Sequence, residues 1–133
     1  MQTKTRFVSV EIAIRTNHEC DAWIEWFERQ DNYVKKSRDE QYAWSVYFDP
    51  LPSLDANSTI QNLCKKIESL PEQVKSHWTN AGEREFFIGY HVGESPSCFT
   101  EFLDAKTIEL VYSHRASIRI ALYPTPDERD WDD

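Results

Sequence analysis

Glycine is scarce in this chain: Gly82, Gly89 and Gly93 are the only three in 133 residues, and none stands in a Gly-x-Gly context. A phosphate-cradling loop or a dinucleotide fingerprint needs several glycines so that backbone can approach the phosphates, so nucleotide-dependent catalysis is not expected. The Gly-x-Ser-x-Gly turn of a serine hydrolase is missing as well, because Ser95 follows Gly93 only within a turn-forming Gly-Glu-Ser-Pro-Ser run. The cysteines Cys20, Cys64 and Cys98 are odd in number and far apart, with no Cys-x-x-Cys pair. That excludes the even disulfide framework of small secreted domains and points to reduced thiols in a cytoplasm. No stretch approaches the roughly 20 apolar residues of a membrane span, and the apolar run at 7–14 is broken by Ser9 and Glu11, unlike a signal peptide. His77, His91, His114 and Cys98 match no zinc-ligand spacing, so neither a metal nor another cofactor is expected.

What is present is acid and aromatic surface. The chain carries a net charge of -8, and its last seven residues, DERDWDD, hold five carboxylates and one arginine, a net of -4 around Trp131. Such a segment repels nucleic acid and anionic membrane and attracts basic surfaces. With 40% hydrophobic and 14% aromatic residues the rest of the chain has enough apolar area for one core. We therefore expect a single domain over residues 1–126 and an acidic tail over 127–133.

Periodicity outlines that domain. Residues 6–15 alternate, with Val8, Val10, Ile12 and Ile14 on one face, as a half-buried strand does. Thr16 to Glu19 has the form of a capping box before a helix to about Gln30, with Trp23, Ile24 and Phe27 on its inner side, and 31–41 reads as loop. A second strand is predicted over 42–49, with Trp44, Val46 and Phe48 on one face, ended by Pro50 and Pro52. A helix follows, opened by a capping box at Ser58 to Gln61 and striped by Ile60, Leu63, Cys64 and Ile67. A short helix capped by Ser69 then runs to about Trp78.

Residues 86–92 form a third strand with a hairpin partner expected at 98–103. Asp104 caps a helix from Ala105 to about Arg115, its Ile108, Val111 and Tyr112 facing inward. The last strand spans 117–123, with Ile118, Ile120 and Leu122 inward. The order β-α-β-α-α-β-β-α-β predicts an α+β fold: a mainly antiparallel sheet of about five strands with helices on one face, a ferredoxin-like sandwich.

Several of these segments together resemble a known family. The run from Trp44 through the helix at 60–70, then Glu85-Phe-Phe-Ile-Gly-Tyr90, Thr107-Ile-Glu-Leu-Val111 and the closing Ala116-Ser-Ile-Arg-Ile-Ala-Leu-Tyr123, resembles the small bacterial domain-of-unknown-function family 4279. The likeness covers about the last two-thirds of the chain. It implies a small α+β domain of the scale of immunity proteins in bacterial toxin systems, and it brings no catalytic residues.

Carboxylate catalysis would need two acids in a cleft with their pKa values pushed apart. Glu11 and Glu101, the acids within predicted sheet elements, are expected on polar strand faces and solvated. Trp26 is harder to bury, because it sits on the polar side of the first helix beside Glu25 and Glu28. Together with Asp127, Asp130, Trp131 and Asp132 of the tail, these residues offer aromatic anchors flanked by acid, a composition suited to binding a basic protein. The expectation is a non-enzymatic, cytoplasmic protein-binding module, monomeric or homodimeric, most concretely an immunity or antitoxin-like protein covering a basic, nuclease-type toxin. Two alternatives are a ligand-binding or catalytic pocket lined by Tyr42, Tyr47 and His91, and self-association through an exposed strand edge.

Overall fold

Val10, Ile12 and Ile14 are fully buried while Glu11, Ala13 and Arg15 between them are not, and this alternation sets β1, Arg6–Arg15, at the centre of the sheet. The computed structural model describes residues 3–16, 19–30, 32–36, 43–48 and 55–124. After β1 come α1 (Asp21–Arg29), β2 (Tyr33–Lys36), β3 (Ala43–Phe48), α2 (Ala56–Glu68), α3 (Glu72–Thr79), β4 (Glu83–Val92), α4 (Ala105–Ser113) and β5 (Ser117–Pro124). The five strands lie in the order β2-β3-β1-β4-β5.

Helices cover one face of this sheet. The buried residues of β1 meet Phe86, Ile88 and Tyr90 of β4 on that face, and the helices add Trp23, Phe27, Ile60, Leu63, Ile67, Val74 and Trp78. The aromatic centre is tight: the Trp23 and Trp78 rings stack with centroids 6.2 Å apart, and the Trp78 ring meets Phe86 edge-on at 5.8 Å. Gly93, just beyond β4, is required by close approach, because a Cβ there would lie 2.5 Å from the Thr3 carbonyl oxygen.

The α+β class expected from the pattern holds, and the sheet is mixed, with three of its four strand pairings antiparallel. β2 with β3, β3 with β1, and β1 with β4 are antiparallel, whereas β4 and β5 run parallel. The cause is the segment between them. The expected hairpin strand at 98–103 does not form, so α4 is the only element joining β4 to β5, and such a crossover returns the chain in its original direction. A strand also appears where a loop was expected, since Tyr33–Lys36 pairs with β3 as an edge strand of mainly exposed side chains. Its polar sequence leaves no apolar alternation to detect.

Three predicted caps are also corrected. α1 begins after Cys20 with no side-chain cap, α2 is capped by Asp55, whose carboxylate accepts from the Ser58 amide at 2.8 Å, and α3 follows Pro71 while Ser69 ends α2. The Asp104 cap stands as expected, accepting from the Thr107 amide at 2.8 Å.

Candidate partner-binding face

The outer strand β5 carries the apolar stripe Ile118, Ile120 and Leu122, paired in register with Phe86, Ile88 and Tyr90 of β4. Residues paired in this way point to the same side of a sheet, so the stripe belongs to the helix-covered face. Yet the cover stops partway along β5: Ile118 still packs against the core, but Ile120 is 61% exposed and Leu122 66%. Their expected inward placement is corrected for a positional reason. No strand lies beyond β5 among the described residues, and the helix nearest to it is held elsewhere.

That helix is α4, and polar ties to α2 fix its rotation. Asn57 and Asp104 are doubly linked, with the Asn57 Nδ2 donating to the Asp104 carboxylate at 3.1 Å and the Asp104 amide donating to Asn57 Oδ1 at 2.9 Å. One turn on, Gln61 Nε2 donates to the buried Thr107 hydroxyl at 2.8 Å, and at the far end the His114 Nε2 and Glu68 carboxylate lie 3.3 Å apart. Thr107 and Val111 are thereby turned inward. A step of about 100° per residue then carries Ile108 and Tyr112 out of the core. Tyr112 is 81% exposed and Ile108 about half, which corrects their predicted inward orientation.

The loop before α4 extends the same surface. Phe99 packs its ring edge-on against Tyr90 at 5.7 Å, beside the register position of Leu122, and Phe102 is largely exposed. Glu101 is half-buried and lies on no strand. Its carboxylate accepts from the Ala56 amide at 2.8 Å, and burial together with this neighbouring carboxylate pushes the Tyr90 hydroxyl up to about 12. Hydrogen bonds and caps at Asp55, Asn57, Glu101 and Asp104 therefore hold a rigid frame, outside which large apolar side chains are left in water. Hydrogen bonding to the Thr107 amide and to Asn57 keeps the Asp104 carboxyl below its ordinary value. Scattered single hydrophobic residues on a surface need no explanation, whereas several exposed on one strand–helix unit make it the candidate interaction surface.

The residues predicted as partner contacts lie elsewhere or outside the described chain. Glu25 and Glu28 are exposed on α1, as expected, with Glu25 3.9 Å from Arg29. Trp26 is half-buried: it packs against the core and lines a small cavity of about 170 Å³ with Gln30, Lys66 and Leu70. Since α1 packs on α3 and β2, at the opposite edge of the sheet, its acids do not adjoin the β5 surface. Asp127, Asp130, Trp131 and Asp132 lie outside the described residues, in the segment that follows β5 directly.

The pocket reading fares differently. Tyr42 lies outside the described residues. Tyr47 and His91 are not neighbours, because Tyr47 sits opposite Glu11, Glu11 sits opposite Phe87, and His91 is four residues further along β4. His91 is half-buried, its ring 6.3 Å from Tyr123 and its Nδ1 buried without a partner. Glu11, expected to be solvated, is half-buried on the sheet face away from the helices. Burial raises its pKa and the Lys35 charge partly opposes this. Among the described residues no three His, Cys, Asp or Glu side chains are grouped to hold a metal ion, and no helix is long and apolar enough to cross a membrane.

No family model matches the chain, and neither curated proteins nor solved structures include one that matches it.

Proposed function

We propose that this chain is a non-enzymatic protein-binding module that docks a basic protein on the face formed by α4 and β5. The observation that carries the reading is the exposure of Ile120 and Leu122 at register positions whose neighbours on β4 are core residues. Exposed apolar side chains of this kind supply the desolvated centre that dominates protein interfaces. The partner's charge follows from the chain's own. The net charge is -8, and five carboxylates at 127–133 begin three residues after β5 ends, so acid borders the apolar surface along the sequence. A basic partner would be steered by that charge and held by the apolar centre. β5 also has an edge with no strand partner among the described residues, which an extended segment of the partner can join by main-chain hydrogen bonds. In its most concrete form the module is an immunity or antitoxin-like protein covering the phosphate-binding cleft of a nuclease-type toxin, in line with the resemblance to family 4279, and it works in a cytoplasm without a cofactor.

The test is affinity capture from lysate of the source organism with the parent protein and with a folded Ile120→Lys/Leu122→Lys variant. Retention of a basic protein by the parent alone, released by high salt, supports the reading. Equal retention by both, or no basic protein at all, contradicts it. A salt-indifferent dimer of the parent, dissociated by the same substitutions, would contradict it in favour of self-association through β5.

A further inference from the structure

At the opposite end of β5 from Leu122 lies an open cavity of about 590 Å³ lined by Arg15, Arg84, Arg115, Arg119, Glu83 and Glu85, among others. Four arginines against two glutamates make this a positive site on a chain of net charge -8. The two carboxylates are already engaged, Glu83 by Arg15 and Glu85 by Arg119 Nε at 2.9 Å. Arg84 and Arg115 have no carboxylate partner among the described residues.

Arg84 is immobilised. Its Nη1 donates to the carbonyls of Trp78, Thr79 and Ala81 at 3.0, 3.1 and 2.8 Å, and its Nε approaches the Arg115 carbonyl at 3.4 Å. A guanidinium fixed by backbone loses little further freedom on meeting a ligand. Those carbonyls end α3 and offset part of its charge, so helix capping accounts for Arg84 by itself.

Capping does not account for Arg115. α4 ends in a Schellman motif, with the Ala116 amide donating to the Val111 carbonyl at 3.1 Å and the Arg115 amide to the Tyr112 carbonyl at 2.8 Å. Arg115 fills the position of that motif where the chain turns left-handed, at φ 54°, the one non-glycine residue with positive φ among those described. Glycine is the residue this position favours, since any Cβ there is strained. An arginine costs stability relative to glycine there, yet it brings a long cation to the rim of a cavity already holding three more.

We propose that this cavity binds a phosphate-type oxyanion, with Arg115 supplying the mobile guanidinium and Arg84 the fixed one. Planar, always-charged guanidinium forks match the oxygen geometry of such a group, and backbone strain retained at a site is accounted for by a ligand that uses the strained residue. This site meets the proposed docking face only at Ile118, which lines the cavity, while Arg119 points to the other side of β5 from Ile120 and Leu122.

The experiment is titration of the whole chain with inorganic phosphate, followed by the amide resonances of Gly82 and Ser117, against sodium chloride at matched ionic strength. The parent and an Arg115→Gly variant are compared, and their melting temperatures are measured without phosphate. The expected result is saturable binding by the parent, weakened at least tenfold in Arg115→Gly, while that variant melts at a higher temperature because the left-handed strain is relieved. Shifts that do not saturate, shifts that chloride reproduces, or equal binding by both proteins would overturn the site. So would an Arg115→Gly protein no more stable than the parent, because the strain on which the assignment rests would then be absent.

Discussion

Ile88 and Ile120 sit side by side in register on parallel strands, pointing to the same face of the sheet, yet Ile88 is 1% exposed and Ile120 61%. The difference lies in what stands above them. α4 is drawn toward α2 by the Asn57–Asp104 and Gln61–Thr107 hydrogen bonds, and the Ile120–Leu122 part of β5 is left uncovered.

The two isoleucines should therefore respond in opposite ways. Ile88→Ala removes packed core and is expected to cost about 2–5 kcal/mol in urea denaturation. Ile120→Ser should stay within about 0.5 kcal/mol of the parent, the range for exposed positions. A large loss from Ile120→Ser would mean that the strand is covered in solution.

Asp104 gives a pH signature. Its carboxyl is held below the ordinary value of 3.8 by the Thr107 amide and Asn57, so its ionised form is favoured in the folded state. That contribution is fully present above pH about 4 and is lost as pH falls through the depressed folded value. Asp104→Ala is expected to melt earlier than the parent at neutral pH, and the gap should close as the solution is taken to strong acid. Melting curves across that range provide the check.

Glu11 carries the opposite sign. Its pKa is raised from 4.5 by burial, with Lys35 pulling it back. A carboxyl that binds its proton more tightly when folded opposes folding above the raised value and has no such effect below the ordinary one. Glu11→Gln should thus be more stable than the parent at neutral pH and indistinguishable from it below pH about 4. Lys35→Met should lower the parent's stability at neutral pH, because it removes the offsetting charge.

Thiol chemistry separates the cysteines. Cys98 is exposed, whereas Cys20 and Cys64 are buried, and burial pushes the Cys64 thiol up to about 11. With an aromatic disulfide reagent at pH 8, one thiol should react at once and the other two only when denaturant is added. Early reaction of all three would indicate that the α1 and α2 core opens readily.

How far the sequence could be read depended on how many layers an element meets. β1, β4 and the inner stripe of α2 are each buried by one dominant face, and Val10, Ile12, Phe86, Ile60 and Ile67 follow their period faithfully. Edge elements obey weaker rules. β2 offers Tyr33, Lys35 and Lys36 to water and carries almost no pattern, and the expected hairpin partner at 98–103 forms no strand, with Glu101 instead bonded to the α2 N-terminus. The residues of the proposed docking face were misread for the reason that makes it a candidate. Ile108, Tyr112, Ile120 and Leu122 have the periodicity of core residues, and periodicity says which side a residue is on, not whether another layer arrives to cover it. Trp26 was the converse case, an aromatic on an apparently polar helix side that packs against the core.

The most direct test of the proposed docking face is a kinetic one, made with the captured basic partner on the parent, on Leu122→Lys and on a chain lacking residues 127–133. Loss of a buried apolar anchor should weaken binding by about 2 kcal/mol or more, some thirtyfold, mostly through faster dissociation. Removal of the acidic tail should instead slow association and flatten its dependence on salt. Leu122→Lys binding as tightly as the parent would contradict the account.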